Sequence, residues 1–151
     1  HGLSVGTGMA IGLKSKKSDS KVFIILGDGE MQEGSNWEAI MLAGHLKIQN
    51  LTIFIDINEL GQCGMLEDCC SIEPLAKKLD SFNFHVFEVD GHDEKQINHS
   101  IQESKKILKP VAILCHTIKG KGFHFAEEKI EWHHKSKISD EEIKEMYRCL
   151  L

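Results

Sequence analysis

Four apolar runs divide this chain: residues 22–26, 51–57, 84–89 and 111–116. The first, Val-Phe-Ile-Ile-Leu, is uninterrupted, the pattern of a strand buried on both faces. The second, Leu-Thr-Ile-Phe-Ile-Asp-Ile, reads as its neighbour. Helical periodicity fills the gaps. Ser35 and Glu38 have the spacing of a capping box, and Trp37, Ile40, Met41 and His45 continue a stripe to about Lys47. Residues 73–79 predict a short helix with Pro74 in its first turn. Residues 94–108 predict an amphipathic helix. A second capping box, Ser139 to Glu142, opens a last helix with Ile143, Met146 and Leu150 on one face. Residues 1–12 are rich in glycine, each costing an isolated helix about 1 kcal/mol. Val5, Met9 and Leu13 nevertheless stand four apart, so a tightly packed helix is expected there. Residues 14–21, 61–71, 90–93 and 117–136 read as connectors. The last is long, contains glycine and carries Lys119, Lys121, His124, His133, His134 and Lys135, the mark of a functional loop.

Strands alternating with helices predict an α/β fold, a doubly wound and mainly parallel sheet with helices on both faces. At 151 residues the chain has the length of one domain. Its net charge of −5, without a basic block, argues against nucleic-acid binding. No apolar run reaches membrane-spanning length. The odd count of 5 cysteines, with no signal peptide, points to a reducing compartment, and a cytoplasmic location is expected. Cys63 with the vicinal pair Cys69-Cys70 has ligand chemistry but no C-x-x-C spacing, and no metal site is expected there.

The chemistry gathers at the ends of the first two strands. Gly27-Asp28-Gly29-Glu30 follows one and Asn58 ends the other. Parallel strands bring both to the same sheet edge, where open α/β sheets bind ligands. Asp28 and Asn58 offer hard oxygens of the kind Mg²⁺ takes together with phosphate. Backbone amides around Gly29 and Glu30 can hold phosphate oxygens. On spacing alone, an ordinary Asp-Gly turn and a strand-ending Asn account for the same residues.

A wider set of motifs is more specific. Ser4-Val5-Gly6-Thr7-Gly8-Met9-Ala10, Gly27-Asp28-Gly29-Glu30-Met31-Gln32-Glu33-Gly34, Trp37-Glu38-Ala39, Asp56-Ile57-Asn58-Glu59-Leu60-Gly61-Gln62, Val89-Asp90-Gly91-His92 and His116-Thr117-Ile118-Lys119-Gly120-Lys121-Gly122 resemble transketolases over essentially the whole chain. So does Glu131-Trp132-His133-His134-Lys135, although the family usually has Gly where His134 stands. The resemblance is to the half that binds the diphosphate of thiamine diphosphate, especially in transketolases split into two polypeptides. It implies one thiamine-diphosphate- and metal-binding domain over residues 1–151. Asp28, the Asn58 side chain and the Leu60 carbonyl would hold Mg²⁺ or Ca²⁺. Gly27, Gly29 and Glu30 would surround the diphosphate, and Gln62 would lie near the cofactor rings. Lys119, His133 and Lys135 would serve catalysis along the diphosphate or the substrate approach. Glu33 would join a carboxylate network at a subunit interface, and Trp37 belongs to the core.

The resemblance also marks what this sequence lacks. The family's stretch before His1 is not present, nor is the pyrimidine-binding domain whose glutamate activates the cofactor. The implied function is transfer of a two-carbon ketol unit between sugar phosphates, as in the pentose phosphate pathway. The chain would be inactive alone, in a homo- or hetero-oligomer such as a dimer with a pyrimidine-binding domain or subunit. The alternatives are a non-catalytic cofactor-binding or supporting subunit, a 1-deoxyxylulose-phosphate synthase, or a 2-oxo acid dehydrogenase subunit. The Asp56-Ile57-Asn58 and Trp132-His133 contexts favour transketolase.

Overall fold

The computed structural model describes residues 1–62 and 64–150. Its elements in order are α1 (Gly2–Ser15), β1 (Val22–Gly27), α2 (Gly34–His45), β2 (Leu51–Ile57), α3 (Leu66–Cys70), α4 (Leu75–Ser81), β3 (His85–Asp90), α5 (Glu94–Ser104), β4 (Val111–His116) and α6 (Asp140–Cys149). Single 3-10 turns cover Gly29–Gln32 and Ile130–Trp132. All four strands are parallel, in the order β1-β2-β4-β3. Gly27 pairs with Asp56, Ile57 with His116, and Asp90 with His116, so all four strands end at one edge. The backbone extends that pairing past the strands: Thr117 N donates to Ile57 O at 2.8 Å and Gly91 N to His116 O at 2.8 Å.

Helices lie on both faces, but unequally. On one face Leu3, Ala10, Ile40, Ala43, Ile53, Ile55, Leu75, Leu79 and Leu114 form a dry core. Each fully buried Leu or Ile there contributes about 1.5–3 kcal/mol relative to exposure. Gly44 lets α2 approach the end of α4: a Cβ at that position would stand 1.7 Å from Phe82 O. Trp37 joins this core as expected, donating Nε1–H to Met31 O at 2.7 Å and packing on Phe82. On the other face α5 covers β3 and β4 through Ile97 and Ile101, against Val89, Val111 and Ile113.

That asymmetry corrects the reading of β1. Its alternate residues Phe23 and Ile25 are 47% and 78% exposed. An unbroken apolar run fits a strand covered on both faces, but α5 sits over the opposite end of the sheet, and β1 is an edge strand.

Other boundaries also move. The expected loop 61–71 contains α3. Pro74 stands just before α4 rather than within it, and Glu73 accepts the Leu75 amide instead. Helix α5 stops at Ser104, where Ser100 and Ser104 hydroxyls bond back to Ile97 O and Ile101 O. The Ser35–Glu38 box does not form: α2 begins at Gly34 with Glu33 as its N-cap, whose side chain caps nothing, which puts Ser35 inside the first turn. The Ser139–Glu142 box forms in both directions. Its helix buries none of its residues, and Ile143 and Leu150 are exposed. No described helix is long and apolar enough to cross a membrane.

Candidate functional site

The strand ends converge on Asp28, which is 3% exposed. Its Oδ1 accepts from Gly29 N at 2.7 Å. Its Oδ2 accepts from Asn58 N at 2.8 Å and Glu59 N at 2.7 Å. Hydrogen bonds to an ionised carboxylate are roughly twice as strong as neutral ones, and these tie the end of β1 to the end of β2. They also hold a costly turn. Glu59 has φ +62°, a left-handed conformation that costs a residue with a side chain about 1–3 kcal/mol. Asp28 thus supports the backbone that presents Asn58 and Leu60.

The donor set suits a hard cation. A carboxylate has roughly four acceptor positions, and Asp28 uses three, leaving one on Oδ1. Among the described residues no cationic side chain pairs with Asp28, and a buried charge is costly until something neutralises it. Asn58 Oδ1 accepts from Leu60 N at 3.2 Å and keeps acceptor capacity. Leu60 faces Met65 across an isolated bridge. The bridge's bonds run from Leu66 N to Glu59 O and from Gly61 N to Gly64 O. Leu60 is therefore in the non-hydrogen-bonded pair, and the bridge does not use its carbonyl.

Space for an anion lies beside these oxygens. A Cβ added at Gly27 would meet nothing within 4 Å, so the chain's own packing does not demand glycine there. Glu30 sits in the first turn of the 3-10 segment, where amides lack intrahelical partners. The Gly29 amide, by contrast, is already donated to Asp28. Gln62 is exposed on the following loop, and Glu33 is exposed at the start of α2.

The loop after β4 supplies the cations. A cavity of about 770 Å³ is lined by Asp56, Asn58, His92, Thr117, Lys119 and Lys121, among others. His133, half-buried, has an Nδ1 that is buried without a partner among the described residues. Desolvation holds its pKa below the ordinary 6.5, the nearby charges of Lys119 and His134 push it further down, and Asp28 partly opposes them. Lys135 turns elsewhere: its ammonium forms an ion pair with Glu142 and lies 4.1 Å from the Trp132 ring centroid. The structure therefore groups Asp28, Asn58 and Leu60 tightly, sets Lys119 in the cavity beside Asn58, and draws Lys135 towards α6.

Two polar contacts in this region had no role assigned from the sequence. Thr117 Oγ1 donates to Asp56 Oδ1. His92 Nε2 accepts from Ile118 N at 2.8 Å, which places its proton on Nδ1. Both fix the start of the loop. The Val89-Asp90-Gly91-His92 motif flagged His92 without indicating its task. Cys115, in the cavity wall, has its thiol pKa raised by burial and then by Asp56. Cys69 and Cys70 are exposed on α3, and Cys63 lies outside the described residues.

The model of the transketolase thiamine diphosphate-binding domain matches residues 12–150. One subunit of the apulose-4-phosphate transketolase of Actinobacillus succinogenes is 39% identical over 141 residues, covering 93% of this chain and 51% of its own. The 6-deoxy-6-sulfo-D-fructose transketolase subunit of a Clostridium species is 36% identical over 142 residues, with the same coverage of 93% and 51%. The crystal structure of the Campylobacter jejuni transketolase superposes with a TM-score of 0.90 at 28% identity, covering 97% of this chain and 24% of that one. The chain thus spans about half the length of the two subunits it matches.

Proposed function

The chain belongs to the family of transketolase thiamine diphosphate-binding domains, and from that premise we propose that it supplies the Mg²⁺-diphosphate half of a transketolase site. Asp28, Asn58 and the Leu60 carbonyl hold the metal. Gly27 leaves room for the diphosphate, Glu30 N donates to it, and Gln62 stands by the cofactor rings. When bound, thiamine diphosphate supplies the carbon nucleophile needed to move a two-carbon ketol unit between sugar phosphates. Lys119 and His133 line the anionic approach. His133, its pKa held below the ordinary 6.5, stands there as a neutral imidazole able to accept a proton. A pyrimidine-binding domain or subunit completes the site, in keeping with relatives that are named as subunits. The working location is the cytoplasm.

The observation that carries this reading is the Asp28 carboxylate, buried, bonded to three amides and one acceptor position short of saturation. The test is calorimetric titration with thiamine diphosphate, with and without Mg²⁺, of wild type and Asn58→Ala together with the partner subunit. Mg²⁺-dependent binding that weakens at least about tenfold, or 1.4 kcal/mol, in Asn58→Ala supports the metal assignment. Equal affinity in both proteins overturns it.

A further inference from the structure

A second cluster of ligand-type side chains lies away from the strand ends, where the long loop meets α6. Glu145 and Cys149 stand four residues apart on α6 and so share a face. His124 reaches them from the loop. One ligand atom from each of the three lies within 4.8 Å of the others. Cys149 Sγ is 3.4 Å from His124 Nδ1. In a tetrahedral zinc site, with Zn–S about 2.3 Å and Zn–N about 2.05 Å, those two ligand atoms stand about 3.6 Å apart. The observed pair has nearly that spacing, and the carboxylate oxygen lies within 4.8 Å of both.

The surroundings suit a cation. Glu131, Glu141 and Glu142 line the same cleft as His124 and Glu145, against the single cation Lys135, which is paired with Glu142. Arg148 Nη1 donates to Glu145 Oε2 at 2.8 Å, orienting the carboxylate and leaving Oε1 available, as outer-shell partners of metal ligands do. The His124 ring rests edge-on against Phe125, which packs on Trp132. We propose that His124, Glu145 and Cys149 form a zinc-type site that clips the long loop to α6, with solvent in the fourth position. A thiolate–imidazole–carboxylate set selects a borderline-soft ion such as Zn²⁺ over Mg²⁺. Binding releases the thiol proton to solvent, and the thiolate and the carboxylate, the latter shared with Arg148, then offset the ion's charge. The ion would anchor the same loop that carries Lys119 and His133.

The test is optical titration of the full chain with Co²⁺ as a spectroscopic stand-in for Zn²⁺. The expected result is a near-ultraviolet thiolate-to-cobalt charge-transfer band, displaced by Zn²⁺. Cys149→Ser should abolish the band. His124→Ala should weaken Co²⁺ by more than the roughly 10–100-fold typical of outer-shell changes. The double variant Cys69→Ser/Cys70→Ser, which alters only exposed thiols on α3, should keep it. Zn²⁺ should raise the melting temperature of wild type and not of Cys149→Ser, with circular dichroism confirming that the variant is folded. No charge-transfer band, or a band that survives Cys149→Ser or vanishes with the α3 pair, overturns the proposal and leaves a thiol–imidazole hydrogen bond only.

Discussion

The turn after β2 and the loop after β4 reach the same sheet edge, but they are held in different ways. The Asn58 and Glu59 amides are bonded to one buried carboxylate, Asp28, and the Leu60 amide to the Asn58 side chain. In the loop that carries Lys119, His133 and Lys135, the described backbone bonds past Thr117 N to Ile57 O run within the loop itself, and side chains tie it to its surroundings: Thr117 to Asp56, His92 to Ile118, Lys135 to Glu142. The first arrangement fixes the backbone that presents Asn58 and Leu60. The second joins the loop to the sheet edge at its start, through Thr117 and Ile118.

The sharpest way to break this contrast is Asp28→Ala. It leaves three amides without their acceptor, one of them on a residue with positive φ. An uncompensated buried donor costs about 1–3 kcal/mol, so urea denaturation should show a loss of several kcal/mol along with lost Mg²⁺-dependent cofactor binding. Unchanged stability would mean that the turn does not rest on Asp28.

His133→Gln should act mainly through pH. The folded pKa of His133 lies below the ordinary 6.5, so near that pH the unfolded chain binds more protons than the folded one. Stability therefore rises with pH through that window and falls as the solution is acidified below 6.5. The variant should lose this component of the pH dependence while hardly changing the midpoint at pH 8. In an assembled enzyme it should lower turnover. A pH–stability profile identical to wild type would remove the case for a desolvated imidazole.

The smallest effect is expected from Lys135→Met. Lys135 holds the Glu142 carboxyl below its ordinary pKa, with help from the Ser139 amide. The stability from this depressed pKa is present above 4.5 and lost as pH falls through the folded value. Partly exposed ion pairs contribute little near neutrality. The melting temperature at pH 7 should barely move, and only the acid limb of the stability curve should change. A large loss at pH 7 would show that the loop needs this pair as the β2 turn needs Asp28.

How much of this could be read from the sequence is clearest where one pattern occurs twice. Ser35–Glu38 and Ser139–Glu142 have the same S-x-x-E spacing, yet only the second forms a capping box. Before Ser139 the chain is extended, which frees the serine to cap. Before Ser35 the 3-10 segment has already turned the chain, and Glu33 takes the first position. The two apolar runs part in the same way: residues 51–57 are buried on both faces at their start, whereas Phe23 and Ile25 are open. Local spacing does not say which strand becomes an edge or how far α5 reaches. The cluster of His124, Glu145 and Cys149 was not legible either, because the fold brings together residues more than twenty positions apart.

By itself the sequence determined the four parallel strands, the helices between them apart from α3, and the placing of Asp28 and Asn58 at one edge. Those follow from hydrophobic period and chain order, which are local properties. Only the tertiary structure decided that Asp28 spends three of its acceptor positions on backbone amides, that Lys135 turns to Glu142, and that half of one sheet face stays open. Each of those outcomes depends on which groups compete for the same partner in three dimensions.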